Sequence, residues 1–252
     1  MRILKLKSNK EKAIFRSPDM NYKIMKPVTG ESGILLIDKP YRWTSFDVIN
    51  KVRSVIKNQT GLKFKVGHAG TLDPLATGLL IVCYGKKTKS LSQFMELDKE
   101  YIATLQFGAT TPCFDLEKPI DKTFPYKHIT EEMVKNILLK YTGEQEQVPP
   151  IFSAKQIDGK RAYKFARNGE QIKIKAKKIN IYSLKLINFK LPEIQIKIVC
   201  SKGTYIRSLA RDIGNELQSG AHLTALRRTR VGTYNVEQAM IPEEFMRLMN
   251  LT

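Results

Sequence analysis

Residues 67–78 read GHAGTLDPLATG and are followed directly by the apolar run 79–83. Three glycines and a proline surround a single acid, Asp73. Because glycine admits positive φ and proline restricts φ, this composition predicts a tight loop that holds the Asp73 carboxylate beside a buried strand. A plain Asp-Pro turn has the same composition, since Asp caps its own backbone and readily precedes Pro. The loop alone therefore leaves a catalytic and a structural interpretation open.

Hydrophobic periodicity sets this loop within an alternation of strands and helices. Strands are predicted at 33–38, 79–84, 101–108, 179–191 and 194–200, and a last strand at 226–228 and 231–236. Helices are predicted to begin after Thr44 or Ser45, after Thr130 and at Thr204, and to cover 90–97 and 242–249. The expected apolar face of each of the three capped helices follows from the i, i+4 spacing: Val48, Val52 and Val55 or Ile56; Met133, Ile137 and Tyr141; Ile206, Leu209 or Ala210, Ile213 and Leu217.

The positive charge of the chain is large and localised. At 252 residues and 42% hydrophobic content the protein can bury a sizeable core, but its formal charge is +19. Residues 1–29 carry a net +6, and residues 151–178 carry a net +7 interleaved with three aromatic side chains. Localised basic charge with aromatics favours a nucleic-acid surface over a uniformly lysine-rich one, although a solvated basic face is the alternative. A membrane surface is the less favoured polyanion.

We expect residues 1–29 to be a basic, flexible extension, with translation starting at Met20 or Met25 as an alternative. Residues 30–252 are expected to form one domain, in which the segment 151–178 is an RNA-binding insertion. No apolar run approaches the ~18 residues of a membrane helix, and the N-terminus lacks the apolar segment of a signal peptide, so we expect a cytoplasmic protein.

Several kinds of chemistry have no counterpart in the sequence. The three cysteines are far apart and form no C-x-x-C pair, which argues against a disulfide framework and a structural zinc site. The three histidines are too dispersed to indicate a metal triad, and no dinucleotide-binding, Walker, H-E-x-x-H or G-x-S-x-G motif occurs. We therefore expect no metal and no cofactor, and chemistry carried by carboxylate, Arg, Lys and Tyr side chains on a polyanion.

Arg207 stands in the first turn of its predicted helix and off the expected apolar face. The helix dipole disfavours a cation there. The position therefore predicts a compensating anion close to the guanidinium.

Six segments together resemble the signature sequences of the TruB-type tRNA pseudouridine synthases, and they occur in the expected order between about residues 32 and 240. They are LIDKP at 36–40, GHAGTLDPLATG at 67–78, KEY at 99–101, PIFSAK at 150–155, CSKGTYIR at 200–207 and LRR at 226–228. The resemblance implies an α/β fold of the α+β type, with a central mixed, mostly antiparallel sheet flanked by helices. It also implies isomerisation of the uridine at position 55 in the T loop of tRNA.

The resemblance implies a role for each matching residue. Asp73 is the expected nucleophile, Tyr101 stacks on the target base and is the route for the C5 proton, and Arg207 pairs with Asp73. Lys39, Tyr205 and Leu226 line the pocket, and His68 helps to hold the rearranged T loop. The RNA-gripping residues of the insertion are expected to include Lys155, Lys160, Arg161 and Arg167.

The sequence departs from the family pattern in three places. Ala69 stands where Thr is frequent, and residues 111–115 lack the usual Thr-Asp-Thr pattern although Asp115 is present. The chain also ends soon after Leu226, so we expect no full C-terminal RNA-binding domain, with the basic N-terminal extension as a substitute. We expect a monomer without an obligatory protein partner. Two alternatives remain: an RNA-folding or RNA-binding protein with dispensable isomerase activity, and a synthase acting on another RNA.

Overall fold

A computed structural model describes residues 32–152, 156–157, 160–161 and 174–250. The predicted extension 1–29 and most of the predicted insertion 151–178 lie outside the described residues. The chain divides into two compact units, one formed by Met1–Leu97 with Arg227–Thr252 and the other by Asp98–Leu226. We call them the first and the second unit.

The first unit is built around strand β3 (Thr77–Tyr84). Strands β1 (Gly33–Lys39) and β2 (Val66–His68) pair with β3 in antiparallel register, and Arg227 and Arg228 of β12 (Ala221–Val231) pair with it in parallel. Strand β13 (Tyr234–Asn235) pairs with β12. Helices α1 (Ser45–Thr60), α2 (Leu91–Glu96) and α5 (Pro242–Asn250) complete the unit.

Both faces of β3 are buried, which is why its sequence is a continuous apolar run rather than an alternating one. Leu80 and Val82 belong to a core that also contains Val48, Val52 and Ile56 of α1 and Phe245 of α5. Leu79, Ile81 and Cys83 belong to a second core with Phe94 and Tyr234. The strand that follows the Asp73 loop is thus held from both sides.

The second unit is built around an antiparallel sheet with the order β4 (Lys99–Phe107), β11 (Glu193–Cys200), β10 (Lys177–Lys190) and β7 (Gly143–Gln147). Its helices are α3 (Glu131–Lys140) and α4 (Ile206–Glu216). Two short hairpins join β5 (Ala109–Thr110) with β6 (Lys122–Thr123), and β8 (Gln156–Ile157) with β9 (Lys160–Arg161). Buried residues alternate along β4, where Ala103 lies opposite Ile196 and Leu105 opposite Ile194.

The predicted fold class is confirmed: β1 with β3 and β4 with β11 are antiparallel, whereas β3 with β12 is parallel. Helix α1 follows its predicted apolar face, and of the two predicted caps Thr44 begins it, through a capping box with Asp47. Strand β7 was not predicted, since its sequence GEQEQ is polar throughout. Within the described part of the chain, no helix is long and apolar enough to cross a membrane.

The predicted face of α3 was wrong, whereas the predicted face of α4 is buried but is narrower than the buried surface of that helix. Helix α3 buries Val134 and Leu138, whereas Met133 is exposed. Both sets of residues satisfy the i, i+4 spacing, and only packing distinguishes them. In α4, Arg207 and Ser208 are buried together with Ile206 and Leu209, so Arg207 does not lie outside the buried surface. The first turn of α4 is buried almost all round, and a guanidinium is part of that packing.

Candidate active site

The Asp73 loop (residues 67–78) connects β2 to β3 in the first unit, and Asp73 is half-buried in it. The backbone N–H of Ala76 donates to the carbonyl of Asp73 over 3.1 Å, which closes a turn around the acid. Ser45, the first residue of α1, binds the backbone of Leu72, the residue before Asp73. Its hydroxyl donates to Leu72 O over 3.1 Å and accepts from Leu72 N over 2.9 Å. The backbone thus forms the turn at Asp73 and Pro74 that the sequence predicts, and Ser45 at the beginning of α1 anchors it.

The side chain of Lys39 is fully buried behind this loop. Its ammonium donates to the carbonyls of Trp43 over 2.6 Å, Pro40 over 3.0 Å and Pro74 over 3.2 Å. Burial lowers the pKa of Lys39 to about 8, although the negative charge of Asp73 acts in the opposite direction. Lys39 was predicted to line the substrate pocket. In the structure its ammonium holds the backbone of the turn and of the loop, and its predicted place in the substrate pocket stays a prediction.

Arg228 is the second buried cation of the loop, only 1% exposed. Its Nε donates to Leu79 O over 2.7 Å, and one terminal nitrogen donates to Gly70 O over 3.1 Å. The guanidinium therefore bridges the two ends of the loop that contains Asp73. Sequence reasoning noted Arg228 in the LRR segment but gave it no role. No pattern in β12 could have identified it, because buried and exposed residues do not alternate along this strand.

His68 begins the loop and is half-buried. Burial, and next the positive charge of Arg228, lower the pKa of His68, which favours the neutral ring. Its Nδ1 has no hydrogen-bond partner among the residues that the structure describes. The predicted contact with the T loop stays a prediction.

Tyr101 and Arg207 lie in the second unit. Tyr101 is buried on β4, opposite Ile198 of β11. Arg207 is 4% exposed in the first turn of α4, and its Nε lies 3.6 Å from Oδ2 of Asp115. Its terminal nitrogens donate to Cys113 O over 3.1 Å and to Phe152 O over 2.9 Å. An anion therefore lies close to the guanidinium, and it is Asp115, whereas Asp73 was the anion expected from the sequence.

Asp115 is itself held in a fixed position. It is 4% exposed, its Oδ1 accepts from Glu117 N over 3.0 Å, and its carbonyl accepts from the Thr111 hydroxyl over 2.6 Å. The backbone at Phe114, directly before it, has φ 64°, which is unusual for a residue with a Cβ. Local strain beside a buried ion pair is a typical feature of functional sites.

Tyr205 is the N-cap residue of α4 and is half-buried. The buried amide of Gln147 binds both of its backbone groups, accepting from Tyr205 N over 2.8 Å and donating to Tyr205 O over 3.1 Å. Gln147 was not predicted, because its partner is 58 residues away in the chain. Leu226, also predicted to line the pocket, is half-buried in β12.

The first unit therefore brings together Asp73, Lys39 and His68, and adds Arg228. The second unit holds Tyr101, Arg207, Tyr205 and Leu226. The pairing of Arg207 with Asp73 stays a prediction. Lys155 and Arg167 lie outside the described residues, and for Lys160 and Arg161 the structure describes only the β9 backbone.

A family model described as "TruB family pseudouridylate synthase (N terminal domain)" matches residues 56–206, more than half of the chain. The chain belongs to the TruB family. A second model, described as "tRNA pseudouridylate synthase B C-terminal domain", matches residues 207–251. The first match contains Asp73 and Tyr101, and the second begins at Arg207. The expectation that a full C-terminal RNA-binding domain is missing stays a prediction.

Named relatives in the TruB family are similar over most of the chain. The tRNA pseudouridine synthase B of Phocaeicola vulgatus is 57% identical over 216 residues, which are 85% of this chain and 92% of that protein. The protein of the same name from Flavobacterium johnsoniae is 52% identical over 212 residues, 83% of this chain and 93% of that protein.

Solved structures share the fold. The crystal structure of a Cbf5-Nop10-Gar1 complex contains a chain that is 26% identical, with a TM-score of 0.64 over 85% of this chain. The match covers 53% of that solved chain, so this protein spans about half its length. A structure of an H/ACA RNP bound to a substrate RNA containing 2′-deoxyuridine matches with a TM-score of 0.61 at 24% identity.

The residues of the TruB-family site that the structure describes suit carboxylate chemistry. In the described ranges, no group of three or more His, Cys, Asp and Glu side chains is arranged to hold a metal ion. Cys83, Cys113 and Cys200 are buried free thiols, and burial raises the pKa of each, to about 11 for Cys83 and about 12 for Cys200. Thiols of this kind are poor nucleophiles.

Proposed function

We propose that this chain isomerises uridine to pseudouridine at position 55 in the T loop of tRNA, without a cofactor and through Asp73. The observation that carries the proposal is the 57% identity, over 92% of its length, to a protein named tRNA pseudouridine synthase B. The family match over residues 56–206, which includes the Asp73 loop, supports it as well.

The reaction is an isomerisation, and its atoms balance within one nucleotide. The bond between C1′ of the ribose and N1 of the uracil breaks, a bond between C1′ and C5 forms, and the proton on C5 is released while N1 gains one. A carboxylate that attacks either the sugar or the base can hold one fragment while the uracil turns. Asp73 is suited to this role because Ser45, Lys39 and Arg228 fix the backbone around it.

Tyr101 is the residue that we propose stacks on the displaced base. A nucleotide must leave its stack before its C1′ and C5 atoms can be reached, and an aromatic ring replaces part of the lost stacking energy. The rigid sheet position of Tyr101, paired with β11 on one side, provides a fixed ring. The hydroxyl of Tyr101 is our proposed route for removing the C5 proton.

Arg207 is the residue that we propose as the ion-pair partner of the Asp73 carboxylate. A guanidinium presents five donors in a planar fork, a geometry that matches the two oxygens of a carboxylate. The buried Asp115 keeps this cation oriented, and the dipole of α4 directs partial positive charge to the same end of the helix.

The tRNA is the partner that we propose, through its T arm. Support comes from the basic segment 151–178, with Lys155, Lys160, Arg161 and Arg167, and from His68, Tyr205 and Leu226 near the matched motifs. We further propose a monomeric enzyme of the cytoplasm, where tRNA is available, with no obligatory protein partner.

The test uses a T-arm stem–loop whose uridines carry tritium at C5. Tritium release is expected from wild type, and Asp73→Asn is expected to lower the release rate by at least about 1000-fold, as loss of a nucleophile does in other enzymes. Absence of release from wild type would contradict the isomerase activity. Equal release from both proteins would contradict the role of Asp73.

Two controls make the result specific. Asp121→Asn is the same chemical change at an exposed carboxylate that binds only the Thr110 hydroxyl in the described structure, and its release rate should match wild type. A stem–loop with cytidine at position 55 and tritiated uridines elsewhere should release no tritium. Release from this RNA would show that another uridine is the target.

A further inference from the structure

The turn formed by Pro40, Tyr41, Arg42 and Trp43 has an unusual residue at its third position. The N–H of Trp43 donates to Pro40 O over 3.4 Å, and Arg42 has φ 66°, whereas φ of Tyr41 is not positive. A positive φ at the third residue alone is the pattern of a type II turn, in which glycine is strongly favoured. Arg42 therefore occupies a backbone conformation that disfavours any residue with a Cβ.

This turn is fastened directly to the Asp73 loop. The N–H of Arg42 donates to Pro74 O over 2.9 Å, and Pro74 follows Asp73. The ammonium of Lys39 binds the carbonyls of Pro40, Trp43 and the same Pro74. All of these contacts lie in the first unit and use only the backbone of the turn. A glycine at position 42 would make the same contacts with less strain.

The side chains of the turn point away from the core. Tyr41 is 51% exposed, Arg42 is exposed, and the guanidinium lies 5.5 Å from the centroid of the Tyr41 ring. No carboxylate in the described part of the chain forms an ion pair with Arg42, and the nearby Asp47 instead caps α1 by binding Thr44. Neither burial nor an ion pair explains why arginine stands at this strained position.

We propose that Tyr41 and Arg42 form an RNA-contact pair beside Asp73, in which Arg42 binds a backbone phosphate and Tyr41 stacks on an unpaired base of the T loop. The inference rests on the proposed function for the identity of the RNA. Guanidinium forks match phosphate oxygens, and aromatic rings bind unstacked bases of any sequence. An enzyme that displaces one nucleotide from a loop needs contacts to its neighbours, and this pair is attached to the backbone of the nucleophile loop.

Arg42→Gly is the decisive substitution, because it removes the guanidinium and the backbone strain together. We expect its melting temperature to equal or exceed that of wild type, and its affinity for the T-arm stem–loop to fall by about 5- to 10-fold. The dependence of log K on log salt should become shallower by about one unit, as for a lost phosphate contact. At saturating RNA the turnover number should be close to wild type, so that the loss appears in KM.

Tyr41→Leu tests the ring. It keeps an apolar side chain but removes the stacking surface, so the Kd should rise by about 5-fold or more with an unchanged salt dependence. The matched control is Arg53→Ala, which removes one exposed charge from α1 in the same unit, where Arg53 binds only Asn50 among the described residues. Equal losses for Arg53→Ala and Arg42→Gly would show a general charge effect and overturn the proposal.

RNA contact by Tyr41 and Arg42 can be tested separately from isomerase activity, because RNA binding and isomerisation are measured independently. An active wild type with unchanged Kd, KM and salt dependence in Arg42→Gly and Tyr41→Leu overturns the RNA-contact pair alone. An inactive wild type whose T-arm affinity still falls in both variants overturns the isomerase activity and supports the contact.

Discussion

Two buried cations, Lys39 and Arg228, bind backbone carbonyls of the Asp73 loop and of the residue that follows it. Burying a charge is unfavourable unless hydrogen bonds compensate for the lost water, and here carbonyl oxygens supply them. Carbonyls that bind these cations cannot rotate freely, so the loop has one conformation around its acid. Preorganisation of this kind is what a nucleophile at a fixed distance from substrate requires.

The lowered pKa of Lys39 predicts a specific pH dependence of stability. Burial lowers the pKa to about 8 from 10.5 in the unfolded chain. Between these two values the unfolded chain binds more protons than the folded protein, so the free energy of unfolding should rise with pH. Relative to a Lys39→Met variant, wild type should gain about 3 kcal/mol across this window, at 1.36 kcal/mol for each unit of pKa.

Urea unfolding of both proteins at several pH values between 7 and 11 measures this gain. Other titrating groups cancel in the difference, and the hydrogen bonds lost in the variant contribute the same offset at every pH. A difference that stays constant with pH would show that Lys39 titrates near its usual value.

The junction of β3 with β12 determines how closely the Asp73 loop approaches its supporting strand. Gly78, at the end of the loop, has φ 105° and lies beside Arg228 in the parallel pairing. A Cβ at this position would overlap the backbone oxygen of Arg228, and backbone atoms in paired strands cannot move aside independently. The glycine is required here by both its φ and its close neighbour.

Gly78→Ala should therefore lower the free energy of unfolding by clearly more than the 1–2 kcal/mol that a left-handed conformation alone costs. Gly61→Ala is the matched control. Gly61 also has a positive φ, of 70°, but no atom beyond its chain neighbours lies within 4 Å of the place that a Cβ would take. Thermal and urea unfolding of the two variants measure the difference. An equal decrease in the free energy of unfolding in both variants would mean that β12 shifts to make room for the added methyl group.

The whole chain carries its formal +19 charge unevenly, with the segments 1–29 and 151–178 as its most basic parts. Association with a polyanion releases counterions in proportion to the phosphates contacted, so an enzyme with this distribution should bind tRNA in a strongly salt-dependent way. The N-terminal segment is the part whose contribution can be tested without altering any residue of the site.

Removal of residues 1–25 is expected to weaken tRNA binding by about 3-fold or more at low salt and to make the salt dependence shallower. Filter binding of a tRNA transcript at low and moderate salt measures both. A full-length variant with glutamine at five lysine positions separates charge from chain length: Lys5, Lys7, Lys10, Lys12 and Lys23. Unchanged affinity in both variants at both salt concentrations would show that the extension does not bind the substrate.

Much of the fold could be predicted because its signals are local. The Thr44 cap of α1, the alternation along β4 and the apolar run of β3 each involve residues that are adjacent or a few positions apart. The failures have an equally physical origin. Strand β7 has no apolar residue to reveal it, and α3 offers two i, i+4 sets between which only its neighbours decide.

The sequence by itself determined the longer strands and helices, the turn at Asp73 and membership of the TruB family, because these depend on short-range patterns and on motifs. Tertiary structure alone decided which charged side chains are buried and what they bind. Arg228 donates to Gly70 O across 158 residues, and Arg207 to Cys113 O across 94. Contacts at such separations exist only once the strands have paired. They convert the glycine-framed turn around Asp73 from a flexible connection into a fixed support for a nucleophile.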